Sequence, residues 1–166
     1  MEFLLKEIER ALEADLYFIA LQAALTLPDI CASLESAVEP KKRKLGAEYA
    51  KWYEDHVQTL HPTWLSGEDC WQYRCSCLHS GSSIGENYSR VIFLAPGQSQ
   101  IRMHNNIIGD AINIDLKTFC LDMIDAVRVW EASAKETDIF KKNYPRLMRV
   151  YPEGFPPYIV GTPVIT

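Results

Sequence analysis

Apolar residues return every three or four positions over residues 5–23 (Leu5, Ile8, Leu12, Leu16, Ile19, Ala23), with Lys6, Glu7, Glu9 and Glu13 between them. That period gathers the apolar side chains on one stripe, so the opening segment is expected to be an amphipathic helix. Thr26, Pro28 and Asp29 predict a break and a short second helix through Ile30 and Leu34 to about residue 36. The proline then sits in a first turn, where its missing amide costs nothing. After the turn VEPKKRKLG, the residues Leu45, Tyr49, Trp52, Tyr53 and Val57 give a third helical face over about residues 44–60, closed by His61-Pro62. Residues 66–79 form a fourth helix. Ser66 with Asp69 has the form of a capping box, Cys70, Tyr73, Cys77 and Leu78 recur at helical spacing, and Gly81 can take the left-handed backbone that ends a helix.

Beyond Gly81 the period changes. Residues 89–95 (SRVIFLA) and 101–105 (IRMHN) predict a hairpin across Pro96 and Gly97, and 111–115 (AINID) a third short strand. Asp115 is placed to cap a long helix in which Phe119, Met123, Ala126, Val127 and Trp130 share a face. A further helical piece over about residues 135–148 is expected to be interrupted by Pro145. The sum is a mainly α fold, an antiparallel helical bundle at residues 1–150 with a small β-hairpin or three-stranded insertion at about 89–115 after the fourth helix. An extended, proline-rich tail is expected at 151–166.

A chain of 166 residues that is 48% hydrophobic can build one core, and is short for two. The formal charge of −5 argues against non-specific coating of nucleic acid, which is mostly phosphate neutralisation. The first eighteen residues carry acids throughout and lack a basic start followed by an unbroken apolar run, so neither a signal peptide nor a membrane span is expected. Five cysteines are an odd number, better read as reduced thiols than as a disulfide framework, and the expected location is the cytoplasm.

The candidate chemistry lies on the fourth helix. Arg74 and His79 are separated by four residues; with four histidines in the chain, an arginine followed four to six positions later by histidine arises by chance about 0.6 times, so spacing alone is a weak signal. On an ideal helix the two side chains leave the axis about 140° apart and about 7.5 Å apart along it, a gap that arginine's length must close. The residue types suit phosphodiester chemistry. Cutting RNA without a metal needs a base for the ribose 2′-hydroxyl, an acid for the leaving 5′ oxygen and a cation on the charged phosphorane. Histidine serves in either proton transfer, and arginine's planar fork binds two phosphate oxygens at once. Asp29 and Glu35 are candidates to orient the pair, on type alone, and Cys75 and Ser80 flank it in supporting positions. Lys41, Lys42, Arg43 and Lys44 can touch a nucleic-acid backbone or simply form a solvated turn, and Ser82 and Ser83 belong to a small-residue loop that could admit a phosphate. Cys75-x-Cys77-x-His79 is not expected to bind metal, because alternate residues on a helix point about 200° apart. Gly81-Ser82-Ser83-Ile84-Gly85 matches a hydrolase elbow, but a helix precedes it where that motif needs a strand.

Taken together, the opening ADLYFIALQ, the aromatic helix EYAKWY and the segment YRCSCLHSG resemble the HEPN superfamily of helical nucleotide-binding domains, most of all its small bacterial members, over about Leu12 to Trp130. The resemblance implies a metal-independent endoribonuclease that uses no cofactor. Its arginine-x(4–6)-histidine pair, here Arg74 and His79, would lie in the groove of a homodimer and act on RNA, in a toxin–antitoxin or defence setting with an antitoxin or other partner protein. One histidine per chain supplies half of the acid–base work, which a two-fold dimer completes. Two alternatives stay open: a non-catalytic relative that binds nucleotide or protein in the same cleft, and a structural helical module in which Arg74 and His79 only pair and cap.

Overall fold

The first break in the helical pattern falls at Asp15, not at the proline. The computed structural model describes residues 1–83, 90–97 and 103–166. In it α1 (Glu2–Glu13) stops where Asp15 takes left-handed backbone (φ 58°), and α2 (Tyr17–Glu35) then runs unbroken through Pro28. The expected separate second helix therefore does not exist. Aspartate tolerates left-handed backbone better than most residues, and the restart turns the new helix relative to the old stripe. Leu16 and Ile19, expected on the buried face, are accordingly more than half exposed.

Within α2, Ala20, Leu21, Ala24, Leu25, Leu27, Pro28, Cys31, Ala32 and Leu34 are all buried. A helix apolar on most of its circumference belongs in the middle of a fold. α2 packs against α1, α3 (Leu45–Trp52), α4 (Gly67–Ser80), α5 (Leu116–Ala134) and α6 (Asp138–Asn143). By length and composition alone α2 could also cross a membrane, although half of it is buried inside the protein.

The third helix begins at Leu45 and passes at Tyr53–Gln58 into a π turn, in which one residue more than usual is wound into the helix before it ends. Tyr49, Trp52, Tyr53 and Val57 are buried as the spacing implied, whereas Leu45 is exposed. The caps of α4 are local and were readable: the Ser66 hydroxyl accepts from the Asp69 amide at 3.0 Å. Gly81 is left-handed (φ 62°), and the amides of Gly81 and Ser82 bond the carbonyls of Cys77 and Ser76, a Schellman closure. Asp115 caps α5 through the Thr118 amide at 2.8 Å, and Phe119, Met123, Ala126, Val127 and Trp130 face the core. α6 is short and gives way to a 3-10 turn (Tyr144–Arg146) at Pro145.

The insertion is a three-stranded sheet of order β1 (Arg90–Leu94), β3 (Ala111–Asp115), β2 (Asn106–Ile108). The expected pairing of 89–95 with 101–105 is corrected among the described residues. β1 lies parallel to β3, from Arg90 opposite Ala111 to Leu94 opposite Asp115, and the hairpin is β2 with β3 around Gly109-Asp110. Residues 89, 101 and 102 of that expectation lie outside the described residues, and His104 precedes β2 without joining a strand. The cause is burial: Ala111, Ile112, Asn113 and Ile114 are covered on both faces, as a middle strand is, and a middle strand takes a neighbour on each side. The tail is not simply extended. β4 (Val150–Tyr151) pairs with β7 (Val164–Ile165), and β5 (Gly154–Phe155) with β6 (Ile159–Val160), two nested antiparallel ladders.

α3 and α4 meet almost backbone to backbone. A Cβ added at Gly67 would press into the carbonyl oxygen of Ala50, whereas one at Gly81 would meet nothing. Gly67→Ala is therefore expected to cost about 1–3 kcal/mol in urea denaturation, as a close-packed contact with no room does. Gly81→Ala should cost about 1 kcal/mol, from its left-handed backbone alone.

Candidate functional site

α4 carries its chemistry on the side turned toward α2. Arg74 extends along the helix and its Nη1 comes to 3.4 Å from His79 Nε2, so the reach of the arginine closes the gap that ideal geometry leaves. The other terminal nitrogen, Nη2, donates to Asp29 Oδ2 on α2 at 2.6 Å, with each side chain 17% exposed. The guanidinium carbon stands 5.1 Å above the Trp71 ring, one turn back on α4. Trp71 is itself held by Tyr49 (centroids 5.2 Å apart) and by the closeness of Gly46, whose missing side chain leaves room for the indole edge. Arg74 is thus fixed from three directions by an aromatic floor, a carboxylate and an imidazole. His79 and Ser80 remain exposed, Cys75 is half-buried, and Arg74 Nε is buried without a hydrogen-bond partner.

Burial pushes the Asp29 carboxyl above the usual aspartate range; the positive charges of Arg74 and then Arg43 pull it back down, and Glu48 adds to the rise. Desolvation outweighs the ion pair in that balance.

Of the remaining sequence-derived candidates, Glu35 lies elsewhere. Its carboxylate accepts from Trp130 Nε1 at 2.7 Å, which removes it as an orienting acid for Arg74 or His79. The basic run divides. Lys41 and Lys42 stand exposed on a 3-10 turn, Lys42 paired with Glu39 at 2.8 Å, and Lys44 is exposed beside them. Arg43 turns inward: its side chain is 8% exposed and its Nε donates to Glu48 at 2.7 Å, so it is no part of a solvated backbone-binding strip. Ser82 and Ser83 follow α4 directly; Ile84 and Gly85 of the serine motif lie outside the described residues. No group of three or more metal-binding side chains occurs among the described residues. Four of the five cysteines are buried, and burial raises the Cys70 and Cys120 thiols to about 12.

His61, read from the sequence as a structural residue at the end of the third helix, has acidic neighbours. His61 places Nδ1 3.3 Å from Asp122 and Nε2 3.0 Å from Asp125, both on α5. Burial raises the Asp122 carboxyl, and the charges of His61 and His104 oppose that rise. Two aspartates three apart on one helix face were the available signal, but nothing local ties them to a histidine some sixty residues earlier in the chain.

No protein-family model, curated protein or solved structure matches this chain.

A carboxyl raised in the folded state binds protons more tightly there than in the unfolded chain, so its contribution to stability is present at low pH and lost as pH rises through the folded value. Relative to Asp29→Asn, the wild type should therefore lose stability between pH 3 and pH 7, the difference levelling off once Asp29 is ionised. Urea titrations of both proteins across that range measure it, and a difference of opposite slope would mean that the Arg74 pairing, not desolvation, governs Asp29.

Proposed function

We propose that this chain is a HEPN-like, metal-independent endoribonuclease that works as a homodimer, with Arg74 and His79 acting on the RNA phosphodiester. The observation that carries the reading is the meeting of the Arg74 guanidinium and the exposed His79 imidazole at 3.4 Å, braced by Asp29. The HEPN-like arrangement of the helices is part of the proposal.

In this reaction the ribose 2′-oxygen attacks phosphorus as a base removes its proton, and the bond to the 5′ oxygen breaks as an acid protonates it, leaving a 2′,3′-cyclic phosphate. His79 of one subunit takes the proton and its copy in the second subunit supplies the other. Arg74 faces the extra negative charge of the phosphorane with two parallel N–H groups, once it yields part of its hold on Asp29. The acidic chain as a whole is unsuited to indiscriminate RNA binding, so a restricted substrate is expected, within a toxin–antitoxin or defence system.

A second reading has an observation of its own. Arg74 is already closed on Asp29 and mostly covered, which favours a non-catalytic module that holds a nucleotide or a partner protein beside His79.

Activity on RNA in the presence of a chelator separates the two. Under the first reading His79→Ala and Arg74→Ala each reduce cleavage about 10²–10⁴-fold. A substrate lacking the 2′-hydroxyl at the cleaved position stays intact, and the protein sediments as a dimer. Equal cleavage by wild type and His79→Ala defeats the proposal; retention of RNA or nucleotide with no cleavage by any of the proteins selects the second reading.

A further inference from the structure

A cavity of about 380 Å³ lies between the second half of α2, the turn that leads into α3 and the chain leaving α6. Its walls are chiefly apolar, with Ile30, Leu34, Val38 and Leu147 among them. Two guanidinium side chains, Arg43 and Arg146, line it as well, and no acidic residue is among its lining residues. The volume falls at the lower end of the range of about 300–1,000 Å³ usual for small-molecule sites.

Arg43 is the unusual member. Its side chain is more than nine-tenths buried, and Glu48 satisfies only Nε, at 2.7 Å. Nη2 is buried with no acceptor. Glu48 balances the charge, but a buried N–H without an acceptor is uncommon in folded proteins. The opposite wall is firmly built. The Asn143 amide donates to the carbonyls of Ser33, Leu34 and Ser36 at 3.3, 3.2 and 2.9 Å, closing the end of α2. Its oxygen accepts from Arg146 Nη1 at 3.4 Å, which holds the second guanidinium beside the cavity. Val38 and Met148, 47% and 69% exposed, mark the open side through which a ligand can enter.

We propose that this cavity binds a small organic carboxylate, its two oxygens taken by Arg43 and Arg146 and its apolar body laid against Ile30, Leu34, Val38 and Leu147. A carboxylate matches a guanidinium edge, and two guanidinium side chains line the cavity with no acidic residue among the lining to claim them. The apolar walls favour a ligand whose remaining surface is hydrocarbon over a free inorganic anion, which would leave them facing water or a strongly hydrated ion. The proposal does not rest on the ribonuclease reading, although the charges of Arg43 and Arg74 both act on Asp29.

Octanoate is a suitable probe, with octanol and inorganic phosphate as the arms that remove its charge and its apolar body. Titration calorimetry of the full chain is expected to show saturable octanoate binding, with octanol and phosphate each weaker by about tenfold or more. Arg146→Ala, at an exposed side chain, and Arg43→Lys, which keeps a cation for Glu48 but removes the spare donor, should each weaken octanoate by about tenfold or more. Val38→Trp should block the entrance, and its unliganded melting temperature should match the wild type. Should Arg43→Lys fail to fold, Arg146→Ala and Val38→Trp decide. Octanol binding as well as octanoate would reduce the site to an apolar crevice, and phosphate binding as well would reduce it to a bare anion site. Unchanged affinity in Arg146→Ala and Val38→Trp, or no saturable binding up to about 10 mM, overturns it outright.

Discussion

A helix of 19 residues with only two charged side chains cannot be left in water, and the burial of α2 is the constraint on which the other helices depend. Each of them is seated against it. The same burial decides what becomes of Asp29. A carboxylate carried into a fold needs a partner with donors, and Asp29 finds Arg74, while Glu35, exposed at the end of the helix, accepts from Trp130. The candidate site is thus tied to the core: Arg74 answers a charge that the central helix brings inward, and His79 lies where that arginine then points.

Signals that act within one turn of chain were legible, because their partners are neighbours in sequence. Ser66, Gly81 and Asp115 cap where their types and positions implied, and the apolar face of α5 is the one its period described. Pro28 misled because a proline inside a helix costs about 3 kcal/mol in isolation, and here that local cost is outweighed by the covering of Leu25, Leu27, Cys31 and Leu34 on either side of it. The true break, at Asp15, carries neither glycine nor proline. Strand pairing was the least legible, since β1 selects β3 from across the insertion; Gly109-Asp110, a two-residue hairpin signal, pointed to the correct antiparallel pair.

The site divides along the same line. The Arg74–His79 pair was visible as a spacing on one helix, and its contact depends on side-chain length rather than on the fold. Asp29 could be nominated only by type, because 45 residues separate it from Arg74. Arg43 was hidden by its company: in a run of four basic residues it is the one drawn inward, and only Glu48, five positions on, hints at the reason.

The π turn at Tyr53–Gln58 has a consequence for how the two histidine neighbourhoods relate. One surplus residue offsets the phase of a helix by roughly 100°. The stretch before it faces α2 and α4, and the π turn itself faces α5. A single rod therefore serves two differently aligned neighbours, much as a splined shaft carries gears at different angles. The alignment of the arginine-bearing helix and that of the aspartate-bearing helix opposite His61 are set by separate arcs of that rod.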